Sequence, residues 1–369
     1  MDASAVQVIS QGPSFKHVGR GSRRCVVVFS SFAARDYGPD AYSFFPHLKP
    51  HFNEADFLFI KDARNQWYNR GLCEIADTAD ELTKWLASKI SAYDETSFFG
   101  SSMGGYAALL FGGRVQTQHI VAIAPQTFLR KGYPRYGSSH SGNYIEIECA
   151  DLATVGRVDI VVGENNLFDL HQSNRLLGTS NIRRSVVPIA YHNVLEHWHS
   201  LGLTQSLMAA VAGFRWPEFL STVDLRARGL ELGDETEILA LIDSYVYLRY
   251  SGDKLGSLNA LKRLRKIAPE WQGPMVAVGL LKLELGALFD GVRILKKVME
   301  QGTKIHGFFR PLAVALAQLK RPQEAVDVAI AGTRLNPKNR LAFSEIEPIF
   351  RAYGLQDFAQ QCSKLAQKA

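Results

Sequence analysis

Hydrophobic and polar positions follow two different periods along this chain. Up to about residue 222, short apolar runs alternate with helical stretches. Val6, Val8 and Ser10 alternate and Phe15-Lys16-His17-Val18 follows, which predicts two short antiparallel strands. Residues 25–29, 56–60, 97–99, 119–125, 158–163 and 184–190 are apolar almost throughout, the pattern of strands covered on both faces of a parallel sheet. Between them, residues 42–51 and 75–90 carry a helical pattern, the second with Leu82, Trp85, Leu86 and Ile90 on one face. Strands alternating with helices predict an α/β class: a doubly wound, mainly parallel sheet with right-handed crossovers.

After a polar, mixed stretch at 215–235 the pattern is helical to the end. Small residues recur at Ser257, Gly291, Ala325 and Ala359, each 34 apart. Turn positions recur at Gly252, Gly286, Lys320 and Gly354, and Pro269 and Pro337 stand two periods apart. The period is that of tetratricopeptide repeats, and Asn336-Pro337 after Glu324-Ala325-Val326 resembles that family's second helix. The expected organisation is therefore a first domain over 1–222 and an all-α, tetratricopeptide-like repeat domain of about four helix pairs over 235–369. Such solenoids usually bind peptides or partner proteins.

Composition changes this picture little, but charge adds to it. Of 369 residues, 46% are hydrophobic, ordinary for a globular protein. Residues 1–234 are nearly balanced, whereas 235–369 carry 20 Lys and Arg against 13 Asp and Glu. Lys262-Arg263 recurs one repeat later as Lys296-Lys297, which predicts either a basic stripe for a partner or a solvated face. Nucleic acid is not expected, since neither a known binding fold nor interleaved aromatics accompanies the charge. Cys25, Cys73, Cys149 and Cys362 form no C-x-x-C pair, as expected of reduced thiols rather than disulfides or a zinc site. Met1-Asp2-Ala3-Ser4 has no signal-peptide character and no run reaches the length of a membrane span, so a cytoplasmic protein without bound metal or cofactor is expected.

The chemistry centres on Gly100-Ser101-Ser102-Met103-Gly104-Gly105, between a predicted strand and the small, apolar start of a predicted helix. This is a G-x-S-x-G nucleophile elbow, in which a serine sits on a sharp strand-to-helix turn. The serine backbone is held in a sparsely allowed conformation there, so the residues two before and two after must lack bulk. Ser102 is the candidate nucleophile, and the Met103 amide at the helix N-terminus is one candidate oxyanion donor. A triad of this type follows in the order serine, acid, histidine. Glu164 and Asp169 follow the strand at 158–163, and Asp169 with Gln172 also reads as a helix cap. His192 is the first histidine after the last strand. In the loop after 56–60, Trp67 and Tyr68 are candidates to stack on a sugar face and Arg64 and Arg70 to hold an anionic group, or all four simply pack and solvate the loop.

Residues from about 23 to 215 resemble the α/β-hydrolase superfamily. Trp67-Tyr68, the elbow with Tyr106-Ala107-Ala108, Ala124-Pro125-Gln126, Leu167-Phe168-Asp169 and His192 are similar to bacterial hydrolase-like proteins associated with surface-polysaccharide synthesis. The resemblance implies a catalytic triad of Ser102, Asp169 and His192, favours Asp169 over Glu164, and places the second oxyanion amide at Ser31 or Phe32. The usual acid position close behind the seventh strand is filled by Asn165 and Asn166. The function implied is an esterase working through an acyl-enzyme on a small-molecule or glycan ester. Acyl transfer to a glycan hydroxyl with the same triad is the alternative, and a non-catalytic scaffold acting through its repeats is the reading from another class.

Overall fold

The computed structural model describes residues 6–32, 41–128, 144–147, 150–223, 225 and 234–367. Ala33, Ala34, Arg35, Cys149 and residues 224 and 226–233 of the expected boundary stretch lie outside the described residues. Strands β1 (Gln7–Gly12) and β2 (Phe15–Gly19) form an antiparallel pair, and β2 pairs antiparallel with β4 (Asp56–Ile60). The remaining strands, β3 (Arg24–Phe29), β5 (Glu95–Ser101), β6 (His119–Ile123), β7 (Arg157–Gly163) and β8 (Ile182–Val187), join through parallel ladders. The order β1-β2-β4-β3-β5-β6-β7-β8 is that of the α/β-hydrolase fold. Residues 25–29 and 56–60 are buried without interruption because their strands are central and covered on both sides. β8, at the sheet edge, instead carries Arg183 and Arg184, the charged kind of edge that resists further pairing.

Seven α-helices are described in this part: α1 (Phe45–Leu48), α2 (Ala79–Ile90), α3 (Met103–Arg114), α4 (Leu167–Asn174), α5 (Val194–Ser200), α6 (Thr204–Ala212) and α7 (Trp216–Thr222). The helix expected over 42–51 is only the single turn of α1 followed by a 3-10 turn at Lys49–His51. Pro46 fits the start of α1, but Pro50 lacks the N–H that continuation would use. Likewise β8 stops at Val187 and not at Ala190: Pro188 has no donor, and Ile189 adopts a φ of 64°. Thr78 caps α2, its hydroxyl accepting the Glu81 amide at 3.1 Å, and Leu82, Leu86 and Ile90 turn inward.

By its contacts the chain divides into two units. The sheet unit is Met1–Gly163, Phe168–Pro188 and His192–Arg226; the helical unit is Glu164–Leu167, Ile189–Tyr191 and Ala227–Ala369. In the helical unit, helices α8 (Glu235–Tyr250) and α9 (Lys254–Ile267), α10 (Gln272–Glu284) and α11 (Leu288–Glu300), α12 (Phe309–Gln318) and α13 (Pro322–Leu335), and α14 (Leu341–Ala352) and α15 (Gln356–Gln367) pack as successive pairs. The second helix of each pair begins 34 residues after the last, at Lys254, Leu288, Pro322 and Gln356. The turn residues Gly252, Gly286, Lys320 and Gly354 all have positive φ, at 86°, 79°, 57° and 73°. Three of the four are glycine, the residue for which that conformation costs least.

The small residues Ser257, Gly291, Ala325 and Ala359 are all buried. A Cβ on Gly291 would lie 2.4 Å from Leu283 Cδ2 and 3.0 Å from the Gly279 carbonyl, so the close approach of α10 and α11 depends on its absence. Of the basic residues read as a stripe, Arg263 pairs with Glu237 at 3.6 Å and Lys296 with Glu324 at 2.7 Å. Half of that charge is thus met by acids of the unit's own helices. Asn165 also belongs here: its Oδ1 accepts the Gly273 amide at 3.0 Å and its Nδ2 donates to the Ile189 carbonyl at 3.0 Å.

Candidate active site

The elbow follows from steric requirements at two glycines. A Cβ at Gly100 would lie 2.2 Å from the Gly104 carbonyl oxygen, and one at Gly104 would lie 2.2 Å from the Phe29 carbonyl oxygen. Strand β5 can therefore turn into α3 within one residue. That residue is Ser102, with φ 55° and ψ −117°, a conformation that an L side chain rarely adopts. Its amide donates to the Ile123 carbonyl at 2.8 Å and its carbonyl accepts from the Tyr106 amide at 3.0 Å, which fix the corner from both sides.

His192 Nε2 lies 3.1 Å from Ser102 Oγ, and His192 Nδ1 lies 2.8 Å from Asp169 Oδ2. All three residues belong to the sheet unit. With the ring proton on Nδ1, donated to the carboxylate, Nε2 is left to accept from the serine hydroxyl. Asp169 is 2% exposed and sits in the first turn of α4, which starts at Leu167. The cap expected for it does not form, because Asp169 is already inside the helix. The Gln172 side chain instead accepts the Thr127 hydroxyl at 2.9 Å and the Phe128 amide at 2.6 Å. Glu164, in the helical unit, accepts the Ile189 amide with its Oε2 at 3.3 Å.

Of the candidate oxyanion amides, Met103 N–H is at the first position of α3, where no carbonyl within the helix can accept it. Ser31 N–H donates to Ser43 Oγ at 3.0 Å. Phe32, the next residue, has a side chain 58% exposed and no partner for its amide among the described residues. The structure thus separates two residues that the sequence left equivalent.

The loop after β4 also differs from expectation. Trp67 is 3% exposed and Tyr68 fully buried, so neither presents a face on which a sugar could stack. Trp67 Nε1 donates to Gln126 Oε1 at 2.8 Å, and the Tyr68 hydroxyl donates to the Ser30 carbonyl at 2.8 Å. Asn65, Trp67 and Tyr68 have φ of 54°, 53° and 60°, a strained run sustained by the buried Asp62. The Asp62 carboxylate accepts the amides of Arg64, Gln66 and Tyr68, at 3.1, 2.6 and 3.0 Å. Burial nevertheless pushes that carboxyl above its ordinary range. Arg64 and Arg70 are exposed, and the Arg64 guanidinium donates to the Arg70 carbonyl at 2.8 Å, tying the loop to itself. Sequence reading missed Ser43: an isolated serine twelve residues downstream of Ser31 carries no motif.

No protein-family model and no curated protein matches this sequence. Among solved structures, the chain is similar to a capsule O-acetyltransferase of Neisseria meningitidis serogroup A, at 16% identity and TM-score 0.39, over 54% of this chain and 92% of that one. It is similar to a lidless α/β serine hydrolase from Xanthomonas campestris at 13% identity and TM-score 0.34, over 58% and 96%. It is similar to a fluorophosphonate-binding serine hydrolase of Staphylococcus aureus at 9% identity and TM-score 0.38, over 56% and 97%. At such values these likenesses say nothing of the reaction, and the fold assignment rests on this chain's own strand order. Among the described residues no helix is long and apolar enough to cross a membrane, and no three His, Cys, Asp or Glu cluster as metal ligands would.

Proposed function

We propose that the chain is a serine-dependent acyl-transfer enzyme that forms an ester on Ser102 and passes the acyl group to water. The observation that carries this reading is the unbroken chain Ser102 Oγ, His192, Asp169, with spacings of 3.1 and 2.8 Å, on a strained elbow. Ser102 Oγ attacks the carbonyl carbon of the substrate while its proton passes to His192 Nε2. Asp169 holds the ring in the receptive tautomer and steadies the imidazolium that results. The carbonyl oxygen, now negative, accepts from Met103 N–H and Phe32 N–H. Collapse releases the alcohol, which takes its proton from His192, and water then repeats the cycle on the acyl-enzyme. The same relay serves transfer to a hydroxyl acceptor. With Trp67 and Tyr68 interior, no aromatic pair in this loop argues for a glycan in that role.

A fluorophosphonate probe tests the reading. The folded protein is expected to become covalently labelled, and Ser102→Ala to lose that label while keeping its thermal midpoint. A folded wild-type chain that takes no label defeats the enzymatic reading and leaves the helical repeats, as a scaffold, the better guide. With a labelled enzyme, product analysis of an activated acetyl ester, with and without added glycans, separates hydrolysis from transfer.

A further inference from the structure

We infer that Ser31, Ser43 and Tyr68 are positioning residues that hold the oxyanion loop in place, so that Phe32 N–H is aimed before any substrate arrives. The inference rests on the acyl-enzyme reading above and deepens it. Five polar atoms of two consecutive residues, Ser30 and Ser31, are fixed from four parts of the sheet unit. Ser30 N–H donates to the Ile60 carbonyl at 2.8 Å, Ser30 Oγ accepts the Ser43 amide at 3.0 Å, and the Ser30 carbonyl accepts the Tyr68 hydroxyl at 2.8 Å. Ser31 N–H donates to Ser43 Oγ at 3.0 Å, and Ser31 Oγ donates to the Ser101 carbonyl at 2.7 Å.

The last of these bonds ties the loop to the residue preceding the nucleophile. The two sides of the expected oxyanion hole, the elbow and the loop after β3, are therefore joined by one hydroxyl. Ser43 clamps both residues, its amide donating to Ser30 Oγ and its Oγ accepting the Ser31 amide, which occupies Ser31 N–H and leaves Phe32 N–H as the next amide in line. Tyr68 is fully buried with its hydroxyl also 3.3 Å from the Ile60 carbonyl, so it braces the end of β4 and the loop after β3 together. This gives a use to an aromatic that the sequence suggested for stacking on substrate. An oxyanion hole works through donors already oriented, so a loop fixed this densely lowers the cost of meeting the developing charge.

The test uses the full chain and the variants Ser31→Ala, Ser43→Ala and Tyr68→Phe, with an activated acetyl ester as substrate. A misplaced donor is expected to lower kcat by about tenfold to 10²-fold with KM nearly unchanged. Affinity for a trifluoromethyl ketone, which forms a tetrahedral oxyanion on the serine, should fall by the same factor, and Ser43→Thr should restore part of both. A variant that merely loosened the fold would lower the thermal midpoint without this parallel loss. If Ser31→Ala fails to fold, Ser43→Ala and Tyr68→Phe carry the test. Retention of wild-type kcat and ketone affinity by folded Ser43→Ala and Tyr68→Phe overturns the inference, while Ser102-dependent labelling still stands. Absence of that labelling in the wild type strikes instead at the underlying reading.

Discussion

Asp169→Asn is expected to lower ester turnover by about 10⁴, the loss that follows when a triad histidine is held in the wrong tautomer. The replacement is close to isosteric, and the side chain is buried in the first turn of α4, so the fold should be unchanged. What changes is the hydrogen bond. The carboxylate Oδ2 now accepts from His192 Nδ1 at 2.8 Å, whereas an amide can offer N–H to that atom and leave the ring proton on Nε2. A protonated Nε2, 3.1 Å from Ser102 Oγ, cannot take the hydroxyl proton. The comparison is Glu164→Gln, whose side chain can still accept the Ile189 amide through its own carbonyl and which should keep turnover near that of the wild type. Steady-state kinetics on one ester, with circular dichroism on the same preparations, reads both. A larger loss in Glu164→Gln than in Asp169→Asn reverses the assignment of the acid.

The second large effect is on stability. At Gly104→Ala, the new Cβ has to sit where the Phe29 carbonyl oxygen is 2.2 Å away, a backbone contact that no side-chain rotation relieves. Overpacking typically costs about 1–3 kcal/mol and occasionally more, and a backbone contact this short belongs at the upper end. The gain in helix propensity from removing a glycine is only about 1 kcal/mol, so the net remains clearly destabilising. Gly105→Ala is the control. Its nearest contacts are 3.2 Å, from the Ile123 carbonyl oxygen and Pro125 Cα, so small shifts suffice and the propensity gain offsets most of the cost. Urea unfolding should therefore separate neighbouring glycines: a large fall in midpoint for Gly104→Ala and little change for Gly105→Ala. Equal midpoints for the two would contradict the steric account of the elbow.

These two neighbours also show what was legible in the sequence and why. The elbow could be read because its requirements are local: a strand, a serine, a helix, and missing side chains at fixed offsets. Chain order then placed His192 and narrowed the acid to two. The helical repeat was legible for a similar reason, since period 34 writes itself into both turns and contacts. Even Lys320, where three other repeats have glycine, takes the positive φ its position demands.

Other features depended on which way side chains face, and composition does not record that. Trp67 and Tyr68 look the same in sequence whether they cover a ligand or a neighbouring loop; Asp62, two residues past the end of β4, winds the loop so that they point inward. Ser31 and Phe32 were equivalent until the Ser43 hydroxyl claimed one of the two amides. The helix expected over 42–51 shortens to α1 because its apolar spacing is helical while Pro50 withholds a donor from it.

The most direct measurement is to mix the wild-type chain with an activated acetyl ester, quench within the first turnover, and map any acyl group by mass spectrometry of the proteolysed protein. The account predicts a single acetyl adduct on the peptide that carries Ser102, formed in a burst and absent from Ser102→Ala and His192→Ala. Ester turnover that proceeds without an adduct on that peptide, or that persists in Ser102→Ala, would contradict it.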